Sequence, residues 1–250
     1  ISRDGDKVVV RWTDKGNAAD TGEERFDVLL AATVRRPNLD TIGVENTSLI
    51  LDERGAPRHD HMSMRADTAG DGLSSIFVTG DAAIELPLLH EAADEGRIAG
   101  ENAAPYPEVY RRARRTGLGV VFSDPQIAIA GRGQGDLTKA GIDFAYGEVS
   151  FEDQGRARVI GKDKGLLRVY AERETGILLG AEMIGPAAEH IGHLLAWTIE
   201  SRLTVIETLQ RPFYHPVLEE GLRTALRNLA AELEFGPSPP LRCIDCGPGG

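Results

Sequence analysis

The stretch LGVVFSDPQIAIAG (118–131) is the first of four short apolar runs that decide the fold. The others are AYGEVSF (145–151), GLLRVYAE (165–172) and GILLGAEMIG (176–185), each bounded by glycine or charged turn residues. Short β-prone runs punctuated in this way predict an antiparallel sheet. Two helices are expected after it, at about 187–202 beyond Gly185 and Pro186 and at about 216–234, with a short one between at about 204–210. Strands followed by helices form an α+β pattern, so residues 113–235 read as one domain with a boundary near 113.

Upstream the texture differs. Ile1 leads straight into the alternation of Val8, Val10 and Trp12, so the chain reads as beginning inside a domain. A polar loop follows, then FDVLLAATV (26–34), whose unbroken apolar run suits a strand covered on both faces. After a loop-rich stretch, SSIFVTGD (74–81) reads as a second buried strand ending at Gly80 and Asp81, with a helix at 88–104 close behind. This strand, turn and helix order is that of an α/β sheet, in which ligands sit beyond the strands' carboxyl ends. The tail GPSPPLRCIDCGPGG (236–250) has eight Gly or Pro in fifteen residues and is expected to be disordered.

The 250 residues are 41% hydrophobic and carry a formal net charge of −11. That balance argues against nucleic-acid phosphates and anionic membrane surfaces as partners. No run approaches the roughly 18 apolar residues of a membrane-spanning helix, and a cytoplasmic setting is expected. Arg111, Arg112, Arg114 and Arg115 cluster, which reads as a solvated helix end more readily than as a phosphate patch. The glycine-rich dinucleotide fingerprint, the P-loop, the nucleophile elbow and the zincin motif are all missing from the sequence.

Among candidate chemical groups, His215 is the most restricted by its neighbours. Pro216 suits the first turn of a helix and pushes His215 out of helical geometry. Glu219 or Glu220 in that turn could reach back to the Nδ1 proton, selecting the tautomer and raising the basicity of Nε2, as a general base requires. Ordinary capping of a helix start is the competing explanation. Gly80 allows a sharp turn at which Asp81 could accept hydrogen bonds from a ribityl or ribose chain, although an Asp that merely caps a helix reads the same. His90 reads as a partly buried helix residue. His190 and His193 share a helix at a spacing that could hold a metal with Glu182 or Glu189, but a solvated or dimer-facing pair fits better. His59 and His61 lie in a loop and show no pattern, and no metal ligand set is assigned. Cys243 and Cys246 form a single C-x-x-C, a spacing for a redox pair or half of a zinc site but too few ligands for a whole one, with pairing between subunits or inert thiols both open.

Taken together, these segments resemble the C-terminal half of the pyridine nucleotide-disulfide oxidoreductases, and among them the dihydrolipoyl dehydrogenases. LLAATVRRPN (29–38) is similar to the strand that closes the family's nicotinamide domain, IFVTGDAAIELPLLHEAADEG (76–96) to its second flavin motif, and FYHPVLEEGLRTALRNL (213–229) to its catalytic helix. The resemblance implies 1–34 as the end of an NAD-binding domain, 35–112 as a second segment of an FAD-binding domain, and 113–235 as a dimerisation domain. The fold implied is thus an α/β remnant of nucleotide-binding domains followed by an α+β domain. It implies FAD and NAD as cofactors, both needing an N-terminal half that could be a separate chain. It implies a homodimer and a dithiol or disulfide substrate. His215 is implied as a base acting on the partner subunit's redox centre, oriented by Glu220. Asp81 and Gly80 are implied at the flavin ribityl chain, Leu88, Leu89 and His90 beside the ring, and Thr33, Val34 and Arg35 at the first cofactor motif, where Val34 replaces the family's usual glycine. On this reading the chain alone is inactive. The alternatives are a non-catalytic dimerisation module, or an enzyme of the mercuric reductase type using the tail cysteines. The stripes Ile191, Leu194, Leu195, Thr198 and Leu222, Ala225, Leu226, Leu229 are either dimer contacts or packing on the domain's own sheet.

Overall fold

In a computed structural model the chain separates into two compact units, residues 1–44 and 45–250. The structure describes residues 1–33, 36–70, 74–83 and 85–235.

The first unit holds an antiparallel meander of β1 (Ser2–Asp4), β2 (Lys7–Thr13) and β3 (Thr21–Phe26), in that order. Val8 and Val9 are its buried residues, while Trp12 stays exposed. The strand expected over 26–34 does not form among its described residues: only Phe26 belongs to β3, and Val28 and Leu30 are 80% and 85% exposed. An apolar run is stable as a strand only with partners on its edges and cover on its faces, and the described residues of this unit supply neither beyond β3.

The second unit begins with irregular chain tied by isolated bridges. The strand expected at 74–81 is reduced to one bridge, Arg65 with Phe77, flanked by the backbone bonds Ala66 N to Ile76 O and Val78 N to Met64 O. Among the described residues its bridge partner is the equally short segment around Met64, so no ladder propagates. Met64, Ile98 and Ala99 form one small core, and Ala66, Val78 and Ala83 another. Helix α1 (Leu89–Ala103) lies where the sequence places it, but its buried face includes Glu91, Asp94, Glu95 and Asn102.

Those acids account for the arginine cluster. Residues 111–117 are not helical. Arg114 is bonded to Glu91 at 2.8 Å and Glu95 at 3.2 Å and lies 3.4 Å from Asp94. Arg111 pairs with Asp60, Arg112 with Glu101 and Arg115 with Asp94. The cluster is therefore an extended strap neutralised by this unit's own carboxylates, neither a helix end nor a phosphate patch. Asn102 fastens the same strap by donating to Tyr110 O and accepting from Tyr110 N. Around the expected boundary near 113 the chain is bonded onward, with Thr116 N donating to Glu200 and Gly131 N to Gly117 O.

The antiparallel sheet is as expected. It comprises β4 (Leu118–Val121), β5 (Gln126–Gly131), β6 (Phe144–Ser150), β7 (Leu166–Glu172) and β8 (Leu178–Gly185), in the spatial order β4-β5-β8-β7-β6. One face carries Ala128, Ala130, Ala145, Leu167, Val169, Ala171, Ala181 and Met183, all in the main core. Helices α4 (Ala188–Glu200) and α6 (Glu220–Glu232) pack on it. Small residues let the helices sit close. A Cβ at Gly147 would stand 2.1 Å from Ala225 O and 2.4 Å from Leu229 N. The opposite face presents the rung Ile129, Glu182, Arg168 and Glu148, with Ile127, Ile184 and Leu166 paired beside it.

Both helical stripes are largely consumed by this core: Ile191, Leu195, Leu222, Ala225, Leu226 and Leu229 are 0–3% exposed, and Leu194 is the apolar exception at 40%. Among its described residues, three short α-helices complete the unit, α2 (Gln134–Lys139), α3 (Gly155–Val159) and the expected α5 (Val205–Leu209). The first two are too short for a periodic sequence signal. α5 opens with a full capping box, Thr204 and Glu207 each bonding the other's backbone N–H.

Candidate active site

The last helix begins later than the sequence suggests. α6 starts at Glu220, and Pro216, joined to His215 by a cis peptide bond, stands ahead of it rather than in its first turn. The cause is Glu220: its carboxylate accepts the Val217 N–H at 3.2 Å, closing the intervening residues into a turn. The Val217 carbonyl in turn accepts from the buried Gln154, whose oxygen caps α3 through Ala157 N. Phe213 and Leu218 pack on the main core on either side. The segment between them is thereby fastened at both ends and in the middle.

His215 projects from this clamp, its side chain 80% exposed, with Nδ1 3.0 Å from Glu220 Oε1. A carboxylate can only accept, so Nδ1 carries the hydrogen and Nε2 is left as the proton acceptor. Burial would raise the Glu220 pKa, but the hydrogen bonds from His215 and Val217, with the nearby His215 and Arg223 charges, bring it below the usual carboxylate value. Glu220 therefore stays ionised at neutral pH. Of the two glutamates considered from sequence, Glu220 makes the bond to His215, while Glu219 is the helix's N-cap residue.

The second cluster lies at the Gly80 turn. Gly80 has φ +63°, and a Cβ there would lie 3.3 Å from that of Ala92. Its N–H donates to Glu95 Oε2 at 2.6 Å, so the buried acid of α1 that faces Arg114 also holds this turn. Asp81 follows in a short 3-10 turn and is exposed. Leu88, half-buried, is the N-cap of α1 and offers no side-chain cap to the helix's first amides, while Leu89 is 88% exposed. His90 is exposed rather than partly buried, its Nε2 3.7 Å from Glu91, because the inward face of α1 is taken by the acids. Thr33 is exposed in the first unit, and Val34 and Arg35 lie outside the described residues, as do Cys243 and Cys246. His190 pairs with the adjacent Glu189, and His193 donates to the Glu189 carbonyl and stacks edge-on with Trp197. Glu182 is elsewhere, accepting from Gln134 N.

Sequence reasoning missed one constellation. His59, His61 and Glu85 converge, with Glu85 24 and 26 residues from the imidazoles. The H-x-H spacing was a visible signal, but the carboxylate was not.

The family model described as "Pyridine nucleotide-disulphide oxidoreductase, dimerisation domain" matches residues 118–226, from the first strand of the five-stranded sheet into α6. The dihydrolipoyl dehydrogenase of Haloferax volcanii is 32% identical over 222 residues, 88% of this chain. The chain belongs to the pyridine nucleotide-disulphide oxidoreductases. Within that family, the dihydrolipoyl dehydrogenase of Thermus scotoductus is also 32% identical, over 203 residues and 81% of this chain. The crystal structure of LpdA from Mycobacterium tuberculosis is 26% identical, with a TM-score of 0.68 over 84% of this chain and 44% of that one. The chain spans 44% and 42% of the two dehydrogenases, so about half the length of the curated relatives it matches. The family's matched domain contains both His215 and Glu220. Among the described residues no helix is long and apolar enough to cross a membrane.

Proposed function

We propose that this chain provides the acid/base pair and the pairing surface of a dihydrolipoyl-dehydrogenase-like enzyme, the base acting across a homodimer interface. The observation that carries this reading is the exposed His215 imidazole, its Nδ1 fixed on Glu220 at 3.0 Å and Nε2 turned away from that bond.

The chemistry follows from that atom. Nε2 removes the proton of a substrate thiol, the positive charge so formed being stabilised by the ionised Glu220. The thiolate attacks a disulfide: a new sulfur–sulfur bond forms, the old one breaks, and the departing sulfur leaves as a thiolate. A low-pKa carboxylate suits the role because it remains charged throughout while the imidazole gains and returns the proton.

FAD fits the Gly80 region on local grounds. The glycine's left-handed conformation permits close backbone approach, Asp81 is an exposed acceptor for sugar hydroxyls, the first amides of α1 have no side-chain cap, and Leu89 offers an exposed apolar surface. FAD, when bound, supplies a two-electron acceptor that NAD can reoxidise. The sequence contains no glycine-rich dinucleotide loop, so both cofactors require a further polypeptide segment. Pairing with a second copy would cover apolar residues left outside the core, among them Ile129, Ile184, Trp197 and Tyr214. With His215 exposed, a trans role needs only that its target lie on that copy.

The test is complementation. The chain, combined with a segment bearing the glycine-rich loops and redox disulfide of a dihydrolipoyl dehydrogenase, should form a yellow dimer that reduces NAD with dihydrolipoamide. His215→Gln should cut turnover by about 10²–10⁴-fold with flavin absorbance and dimer mass unchanged. Undiminished turnover in His215→Gln, or turnover by a monomer, would sink the proposal.

A further inference from the structure

The His59 side chain is 5% exposed, and its Nδ1 lies 3.3 Å from the Pro57 carbonyl. A carbonyl oxygen only accepts, so Nδ1 carries hydrogen, and in the neutral ring Nε2 is an acceptor. That nitrogen faces Glu85 Oε1, a second acceptor, at 2.9 Å. Two lone pairs so close require a positive centre between them. The same oxygen also meets Nδ1 of His61. The three ligand atoms lie within 4.8 Å of one another, the only such set of three among the described residues. In a tetrahedral site with bonds of about 2.1 Å, neighbouring ligand atoms stand about 3.4 Å apart. Reaching that spacing requires the His61 imidazole, which is exposed, and the Glu85 carboxylate, which is partly buried, to separate.

The surroundings hold the set in place. Asp60, between the two histidines, accepts the Met62 and Ser63 N–H groups at 2.8 and 2.9 Å, and its other oxygen pairs with Arg111. The aspartate thus shapes the loop so that both imidazoles reach Glu85, and it is itself engaged elsewhere. Arg114 lies 3.7 Å from Glu85 Oε2, and Oε1 is the oxygen that faces the two imidazoles. Pro57 fixes the tautomer of the buried ring, the role that an outer-shell acceptor plays for a metal-bound histidine.

We propose that His59, His61 and Glu85 bind one divalent transition-metal ion of the zinc, nickel or copper type, through two imidazole nitrogens and one carboxylate oxygen, with a fourth position open to water. Imidazole and carboxylate ligands suit these ions better than calcium or magnesium, which take oxygen sets. The site is separate from the His215 pair and independent of the proposed function. A proton shared between His59 and Glu85 would satisfy the same two lone pairs, and the test distinguishes the two.

Zinc and nickel titrations by calorimetry should be run on the untagged chain with Cys243→Ala and Cys246→Ala, which removes the tail thiols as competing ligands. The expected result is one ion per chain. His61→Gln, at an exposed position that leaves the core untouched, and Glu85→Gln should each weaken binding by at least about 10-fold, the cost of losing even a group that orients a ligand. Copper added to the same protein should show electron paramagnetic coupling to two imidazole nitrogens, falling to one in His61→Gln. Absence of saturable binding, affinity unchanged by either substitution, or coupling unchanged in His61→Gln would overturn the proposal in favour of a shared proton.

Discussion

Replacing Glu220 by Gln keeps the side chain's shape and removes its charge, and its cost can be worked from two bonds. The carboxylate accepts from His215 Nδ1 at 3.0 Å and from Val217 N at 3.2 Å. An amide has one oxygen, so its NH₂ group must face one of these two donors and that bond is lost. The surviving bond drops from a charge-assisted to a neutral one, a loss of about 1 kcal/mol. The His215 pair is solvent-screened at its imidazole and contributes about 0.2–1 kcal/mol. The expected destabilisation at neutral pH is therefore about 1–2 kcal/mol, a fall of about 3–6 °C in Tm for a unit of this size. It should be read from far-ultraviolet circular dichroism, since the six α-helices among the described residues lie in the second unit. The pH dependence has a definite sign. The folded-state pKa of Glu220 lies below its ordinary value, so its contribution is complete above the ordinary carboxylate range and drains away as pH falls through the folded value. The gap between wild type and Glu220→Gln should accordingly close in acid. Equal stabilities at neutral pH, or a gap that persists or widens on acidification, would refute the account of Glu220 as the clamp.

Two further outcomes follow from the packing. Gly147→Ala places a methyl group against the backbone of α6 and should cost about 1–3 kcal/mol in urea unfolding, whereas Gly155→Ala, with nothing within 4 Å of the added atom, should cost nothing measurable; similar midpoints for both would contradict the tight seating of α6. Arg114→Met leaves the buried carboxylates of Glu91, Asp94 and Glu95 without their shared cation, and should destabilise by about 3–5 kcal/mol, with a loss under about 1 kcal/mol showing that the network is dispensable.

The sheet was legible because each of its strands carries its own punctuation, and the small residues Ala128, Ala130, Ala145 and Gly147 mark the face on which helices rest. The runs 26–34 and 74–81 misled for one reason: hydrophobicity announces a strand's appetite for neighbours but not their presence. The arginine cluster was misjudged because its partners lie on α1 and on Asp60, far off in sequence. The His215 pairing could be narrowed to two glutamates but not decided by helical geometry. Residues five apart do not share a helix face, and the bond exists only because a turn precedes α6. Glu85 was invisible for want of any local signal, since what joins it to the histidines is the loop that Asp60 folds.

The acids that line the inner face of α1 also restrict how this sequence can change. A lysine at 114 keeps the charge but loses the planar fork that reaches several carboxylates at once, and losing any one acid alone unbalances the rest. Apolar replacement becomes tolerable only when the arginine and its acids change together, so helix and strap are bound to diverge as a block.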